Sequence, residues 1–177
     1  SVSIALVGND GTPLIGVVYD AVEGCLYHAV HGQGAFRNEK PWHLPEKKDV
    51  LTFVTDRSFK PNPNSPHILK QLETIALNLG LKGLATGLIG GAAMNGCWVL
   101  ENAPACYFKQ PKPQNGGGSL WDFAATACLF NEIGAVATDI FGQPLDLNRA
   151  DSTFMNHRGA INATDQDLAR QLMRHFQ

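Results

Sequence analysis

The chain has 177 residues, enough for one ordinary domain, and 44% of them are hydrophobic, enough for a sizeable core. Its 14 basic and 16 acidic residues leave a net charge of −2, so no basic face invites a nucleic-acid polyanion. No apolar run approaches the ~20 residues of a membrane helix, and the composition predicts a soluble globular protein.

The chain opens Ser1-Val2-Ser3-Ile4-Ala5-Leu6-Val7, without an initiator Met and already in strand-like alternation, so it reads as a fragment or the ordered remainder of a longer protein. Residues 2–8 and 13–20 are β-branched runs joined by Gly8-Asn9-Asp10-Gly11, a hairpin signal in which Asn and Gly suit positive φ. A third run covers Cys25–Val30 and is broken by Gly32-Gln33-Gly34-Ala35-Phe36, which makes an antiparallel meander over 2–37. Beyond the Pro/Lys-rich connector 41–49, strands and helices alternate. A short strand at Leu51–Thr55 is followed by a helix that starts at Ser65-Pro66, where Pro suits the first turn, and stops at Gly80. Leu84–Leu88 is a strand, Gly90-Gly91 a turn, Ala92–Leu100 an apolar helix and Ala105–Phe108 a strand. After the loop Lys109–Ser119 comes a helix over 120–133, ended by Gly134. Strands are expected at Ala135–Ile140 and 154–164, and Asp165–Phe176 is an amphipathic helix with Leu168, Leu172 and Met173 on one face. Residues 1–45 thus read as the remnant of an antiparallel sheet domain, and 46–177 as a complete α/β domain.

Cys25, Cys97, Cys106 and Cys128 form no C-x-x-C pair and sit among apolar neighbours, which favours buried free thiols in a reducing compartment over disulfides or zinc. With no signal peptide in view, a cytoplasmic location is expected. The six histidines lack metal-ligand spacing, and P-loop, G-x-S-x-G and G-x-G-x-x-G signatures are missing.

Candidate chemistry falls at strand-to-helix junctions, where open α/β sheets bind ligands. Gly90-Gly91-Ala92 admits a tight turn with close helix packing, or a backbone cradle for an anion. Asp122, behind Trp121 and Gly116-Gly117-Gly118, admits a helix-capping role or that of a metal-phosphate carboxylate. Lys109 and Lys112 are either solvated or phosphate-neutralising. Arg57, beside Ser58, either forks onto a phosphate or makes a surface ion pair.

Gly-Val-Val-Tyr-Asp at 16–20, Gly-Gln-Gly-Ala-Phe at 32–36, Gly-Gly-Ala-Ala at 90–93, Trp-Asp-Phe-Ala-Ala at 121–125 and Gly-Gln-Pro-Leu-Asp at 142–146 together resemble the inositol monophosphatase superfamily. The resemblance spans the whole chain except the loop 109–120, which is longer and richer in glycine, and includes Glu132-Ile133-Gly134 at the end of the Trp-Asp helix. It implies a layered αβαβα architecture with the N-terminal sheet incomplete. It also implies a magnesium-dependent, lithium-sensitive phosphomonoesterase acting on a small phosphorylated metabolite, and a homodimer. Asp122 then becomes the catalytic metal ligand, Gly90, Gly91 and Ala92 the backbone edge beside the substrate, and Lys109, Arg57 and Ser58 phosphate contacts. The family's other Mg²⁺ ligands, an upstream Glu and an Asp-Pro-(Ile/Leu)-Asp-Gly-(Thr/Ser) motif, would fall before Ser1, so the 177 residues alone are expected to be inactive. A basic Lys109, where inositol phosphatases carry a Glu, tilts the substrate toward a 3′(2′),5′-bisphosphate nucleotide, a cation against a neutral hydroxyl being a poor use of desolvated charge. Arg57-Ser58 resembles the nucleotidases' Ser-Arg-Ser-His segment, from which Asp56 and Phe59 depart. An inositol-1-phosphatase or other sugar phosphatase, and a non-catalytic binding or assembly relative, are the competing readings.

Overall fold

A hairpin-rich N-terminal third and an alternating remainder fold into two sheets with helices between and beside them. The computed structural model describes residues 1–88 and 90–176. The first sheet is antiparallel in chain order: β1 (Val2–Val7), β2 (Pro13–Asp20), β3 (Cys25–Val30), β4 (Gly34–Arg37) and β5 (Lys40–Pro41). Gly32-Gln33-Gly34, expected to break the third run, turns the chain within the meander: Gly32 and Gly34 take φ of 74° and 85°, and it returns as β4. Alternation decides which face is buried. On β3, Cys25, Tyr27 and Ala29 point into the core while Leu26, His28 and Val30 stay half-buried.

The second sheet runs in the order β7 (Leu84–Leu88), β6 (Leu51–Thr55), β8 (Ala105–Lys109), β10 (Ala160–Ala163), β9 (Val136–Thr138). β6 is parallel to β7 and β8, and β10 is antiparallel to β8 and β9. The last two strands are shorter than the apolar runs predict. Asp139 ends β9 by accepting the backbone N–H groups of Phe141 and Gln143, both at 2.8 Å. Residues 155–159 form a turn, closed by Gly159 N–H on the Met155 carbonyl at 3.0 Å, before β10 begins.

Four helices complete the layers. α1 (Ser65–Asn78) and α4 (Gln166–Phe176) cover one face of the second sheet, with Ile68, Leu72, Ile75, Leu168, Leu172 and Phe176 packed on Leu51, Phe53, Phe108 and Ile161. α2 (Ala92–Glu101) and α3 (Leu120–Ile133) lie between the sheets. All eight residues of α3 from Phe123 to Phe130 are buried, as an inter-sheet helix requires, and each large apolar one contributes roughly 1.5–3 kcal/mol. The helix approaches β2 so closely that a Cβ on Gly16 would lie 2.2 Å from the Ala125 carbonyl oxygen. At its far end, Glu132 accepts the N–H groups of Gly32 and Gly34, each at 2.8 Å, and so ties α3 to the β3–β4 turn.

The observed order is sheet, helices, sheet, helices, four of the five layers of an αβαβα stack. The outer face of the first sheet carries no helix among the described residues: Val2, Ile4 and Leu6 on β1 are 52, 61 and 53% exposed, alongside Ile15 and Tyr19 on β2. The boundary expected at 45/46 lies in the segment between the two sheets, and a single apolar cluster joins Val18, Tyr27 and Ala35 to Val54, Leu100 and Phe123 across it. All four cysteines are buried free thiols.

Candidate active site

The predicted residues meet where the C-terminal ends of β6 and β8 face the starts of α2 and α3. Asp56, Arg57 and Ser58 leave β6 in a tight turn, in which the Ser58 N–H donates to Asp56 Oδ1 at 3.0 Å. Across from them, Gly91 is the extended N-cap of α2 (φ −77°, ψ 165°), and no side chain caps that helix start. The amides at the first turn therefore keep their partial positive charge for an anion. Asp56, Arg57, Ser58, Gly90 and Gly91 line one open cleft of about 470 Å³, with Ala92 opening the helix beside it.

The Gly90–Gly91 turn is held from within. Asn95, fully buried on α2, accepts the Gly90 N–H at 3.1 Å, and its amide faces the buried Tyr107 hydroxyl on β8. Burial first, and then the charges of Asp56 and Asp122, push the Tyr107 phenol well above its usual range, so it stays neutral between the two carboxylates. Phe123, the residue after Asp122, stacks on the Tyr107 ring at 6.3 Å between centroids. Asn95 carries no sequence signal beyond apolar surroundings, and its hold on the Gly90 N–H emerges only from the packing.

Lys109, at the end of β8, lies beside Ser58 in a second cleft of about 390 Å³ that adjoins the first. Its ammonium is paired with Asp56, both side chains being mostly buried (24 and 21% exposed). Burial alone would raise the Asp56 carboxyl, but Lys109 and Ser58 outweigh it and hold the group below the ordinary carboxylate range. Arg57 is exposed at the mouth of the first cleft.

Of the two roles foreseen for Asp122, the structure shows the capping one. As the third residue of α3 it accepts the Ser119 backbone N–H on Oδ2 at 2.8 Å, which caps the helix. It also borders the site: a Cβ on Gly118, which lines the second cleft, would lie 3.3 Å from Asp122 Oδ2. Gly116, Gly117 and Gly118 all have positive φ (132, 74 and 86°), so the glycine run follows a path that other residues rarely take. One carboxylate with one oxygen already committed does not make a Mg²⁺ site, which needs several oxygen ligands. Among the described residues no group of three Asp, Glu, His or Cys side chains could complete it.

The chain is similar to proteins of known kind. Inositol monophosphatase 1 of Homo sapiens is 28% identical over 165 residues, which is 92% of this chain and 53% of that protein. The 3′(2′),5′-bisphosphate nucleotidase CysQ of Aggregatibacter actinomycetemcomitans is 28% identical over 164 residues, covering 93% of this chain and 57% of its own length. The inositol monophosphatase-II structure from Staphylococcus aureus superposes with a TM-score of 0.70 at 21% identity, over 98% of this chain and 59% of that one. The Anabaena inositol monophosphatase gives 0.65 at 23% identity, over 97% and 65%. The chain thus spans about half the length of the curated relatives it matches. The family model for the inositol monophosphatase family matches residues 1–177 throughout, and the chain belongs to that family.

Proposed function

We propose that this chain carries the substrate-edge half of a Mg²⁺-dependent phosphomonoesterase acting on a small phosphorylated metabolite, with a 3′(2′),5′-bisphosphate nucleotide favoured over inositol 1-phosphate. The observation that carries the reading is the convergence of Arg57, Ser58 and the uncapped start of α2 on one cleft, with Asp122 at the edge of the next. A phosphate fits there by chemistry: guanidinium, hydroxyl and backbone N–H groups are donors, and the helix start favours negative charge. Mg²⁺, where held by Asp122 together with further oxygen ligands, would supply polarisation of the ester and activation of a water. Asp122 would offer its uncommitted oxygen as one ligand, and the described residues supply no further carboxylates that could complete the set. Residues 1–45 are read with this as the remnant of a larger sheet domain.

Membership of the inositol monophosphatase family supports the phosphatase reading, and CysQ among the relatives supports the nucleotide arm. SaIMPase-II has been solved with inositol monophosphate and with 2′AMP, so one relative of this fold accommodates both kinds of ligand. Four buried free thiols fit a reducing, cytoplasmic setting, and membership of the family is what favours a homodimer. No described helix is long and apolar enough to cross a membrane.

The test is phosphate release from inositol 1-phosphate and from 3′-phosphoadenosine 5′-phosphate. The full-length phosphatase turns over with Mg²⁺ and is inhibited by lithium, the 177 residues alone do not turn over, and Asp122→Asn lowers full-length kcat by more than about 100-fold, the scale of a lost metal contact. The same exchange leaves an oxygen for the Ser119 N–H, so stability changes by less than about 1 kcal/mol. Retained turnover in Asp122→Asn would reduce Asp122 to a helix cap.

A further inference from the structure

We propose that Lys112, rather than Lys109, is the cation that selects a substrate bearing a second phosphate. The inference rests on the phosphatase reading and names a specificity residue within it. Lys109 and Lys112 line the same cleft, whose floor is built from Phe53, Phe59 and Phe108 and whose wall includes the Gly117 backbone. The Lys109 charge is already neutralised by Asp56, so recruiting it for a ligand would expose a mostly buried carboxylate. Lys112 has no carboxylate within ion-pair distance among the described residues, and it is exposed at the cleft rim.

The loop also fixes where that charge sits. The Lys112 N–H donates to the Asn156 carbonyl at 2.9 Å, and Asn156 Nδ2 donates back to the Lys112 carbonyl at 3.1 Å. Pro111 and Pro113 flank it and narrow its backbone freedom. Its side chain folds over Gly116, where a Cβ would come within 2.8 Å of Lys112 Nζ, so a glycine at that position leaves the ammonium its place. Two separate anion contacts result: Arg57, Ser58 and the α2 start at one cleft, and Lys112 at the other, with an aromatic floor beside it. The two clefts share Asp56 and Ser58, so a ligand that carries two phosphates, as a nucleoside bisphosphate does, has an anion contact on each.

Isothermal titration of the chain with adenosine 3′,5′-bisphosphate, adenosine 5′-monophosphate and inorganic phosphate tests this without relying on turnover. Lys112→Gln lowers bisphosphate affinity about tenfold, the weight of one charge-assisted contact, and changes monophosphate affinity less than twofold, while Lys112→Arg restores the bisphosphate. Lys109→Gln uncovers Asp56 and weakens both esters alike. Bisphosphate affinity unchanged in Lys112→Gln, or lost equally for both esters, overturns the assignment and leaves the phosphatase reading standing. Failure of all three ligands to bind the unsubstituted chain overturns both.

Discussion

Gly16→Ala puts the packing of α3 to a direct test. The added methyl would lie 2.2 Å from the Ala125 carbonyl oxygen and 2.9 Å from both the Ala125 carbonyl carbon and Cys128 Cβ. Ordinary contacts begin near 3.4 Å, so about 1 Å of relative movement between β2 and α3 is required, and two of the three obstructing atoms are backbone. Closely packed interiors respond to such an insertion with a loss of about 3 kcal/mol. For a chain of this length that corresponds to a fall in Tm of roughly 6–12 °C. Urea unfolding followed by circular dichroism measures it, with Gly83→Ala as the control: a Cβ there meets nothing within 4 Å and Gly83 has no positive φ. The control should stay within about 1 kcal/mol, on the stabilising side, because the substitution mainly restricts the unfolded chain. A loss below about 0.5 kcal/mol in Gly16→Ala would mean that the helix-to-sheet approach is looser than the structure has it.

Two further outcomes follow from buried groups. At Glu132 burial pushes the carboxyl up, but the N–H groups of Gly32 and Gly34 outweigh it and the folded value lies below the ordinary one. Its contribution is therefore complete above the unfolded carboxylate value of ~4.3 and is lost as pH falls through the lowered folded value. Glu132→Gln should cost about 1–2 kcal/mol in urea unfolding at pH 7 and progressively less below pH 4, and a loss independent of pH would contradict the account. Burial holds the Cys97 and Cys106 thiols far above their usual range and pushes Cys128 up to about 11. All four thiols are also buried, so they should resist an aromatic disulfide reagent at pH 8 and react together in urea, and fast labelling of any one in the folded chain would refute the packing around it.

Much of the fold is legible locally. Ser65-Pro66 starts α1, Gly134 ends α3 with φ of 81°, and the run from Phe123 to Phe130 marks a helix wanted on every side. Short-range signals fail where a turn or a distant partner takes over. Asp139 cuts β9 short with its side-chain hydrogen bonds, and Gly32 converts an expected break into the hairpin that makes β4. The site divides in the same way. Gly90, Gly91, Arg57, Ser58 and Asp122 were each recognisable from their junctions. The partners that fix their meaning were not, because they come from other elements.

The sequence by itself determined the elements, the buried cysteines and the family, since periodicity, glycine turns and the Trp121-Asp122 motif are all properties of neighbouring residues. Only the tertiary structure decided how the charges are used. Parallel pairing sets Phe53 beside Cys106, and three residues further along the same two strands come Asp56 and Lys109, so sheet register alone joins groups 53 positions apart. That pairing neutralises Lys109 and leaves Lys112 the cation of the cleft that is free of any carboxylate among the described residues, while the turn into α3 gives Asp122 a capping partner in the Ser119 N–H. Electrostatic roles depend on distance in space, which a linear pattern of residues does not contain.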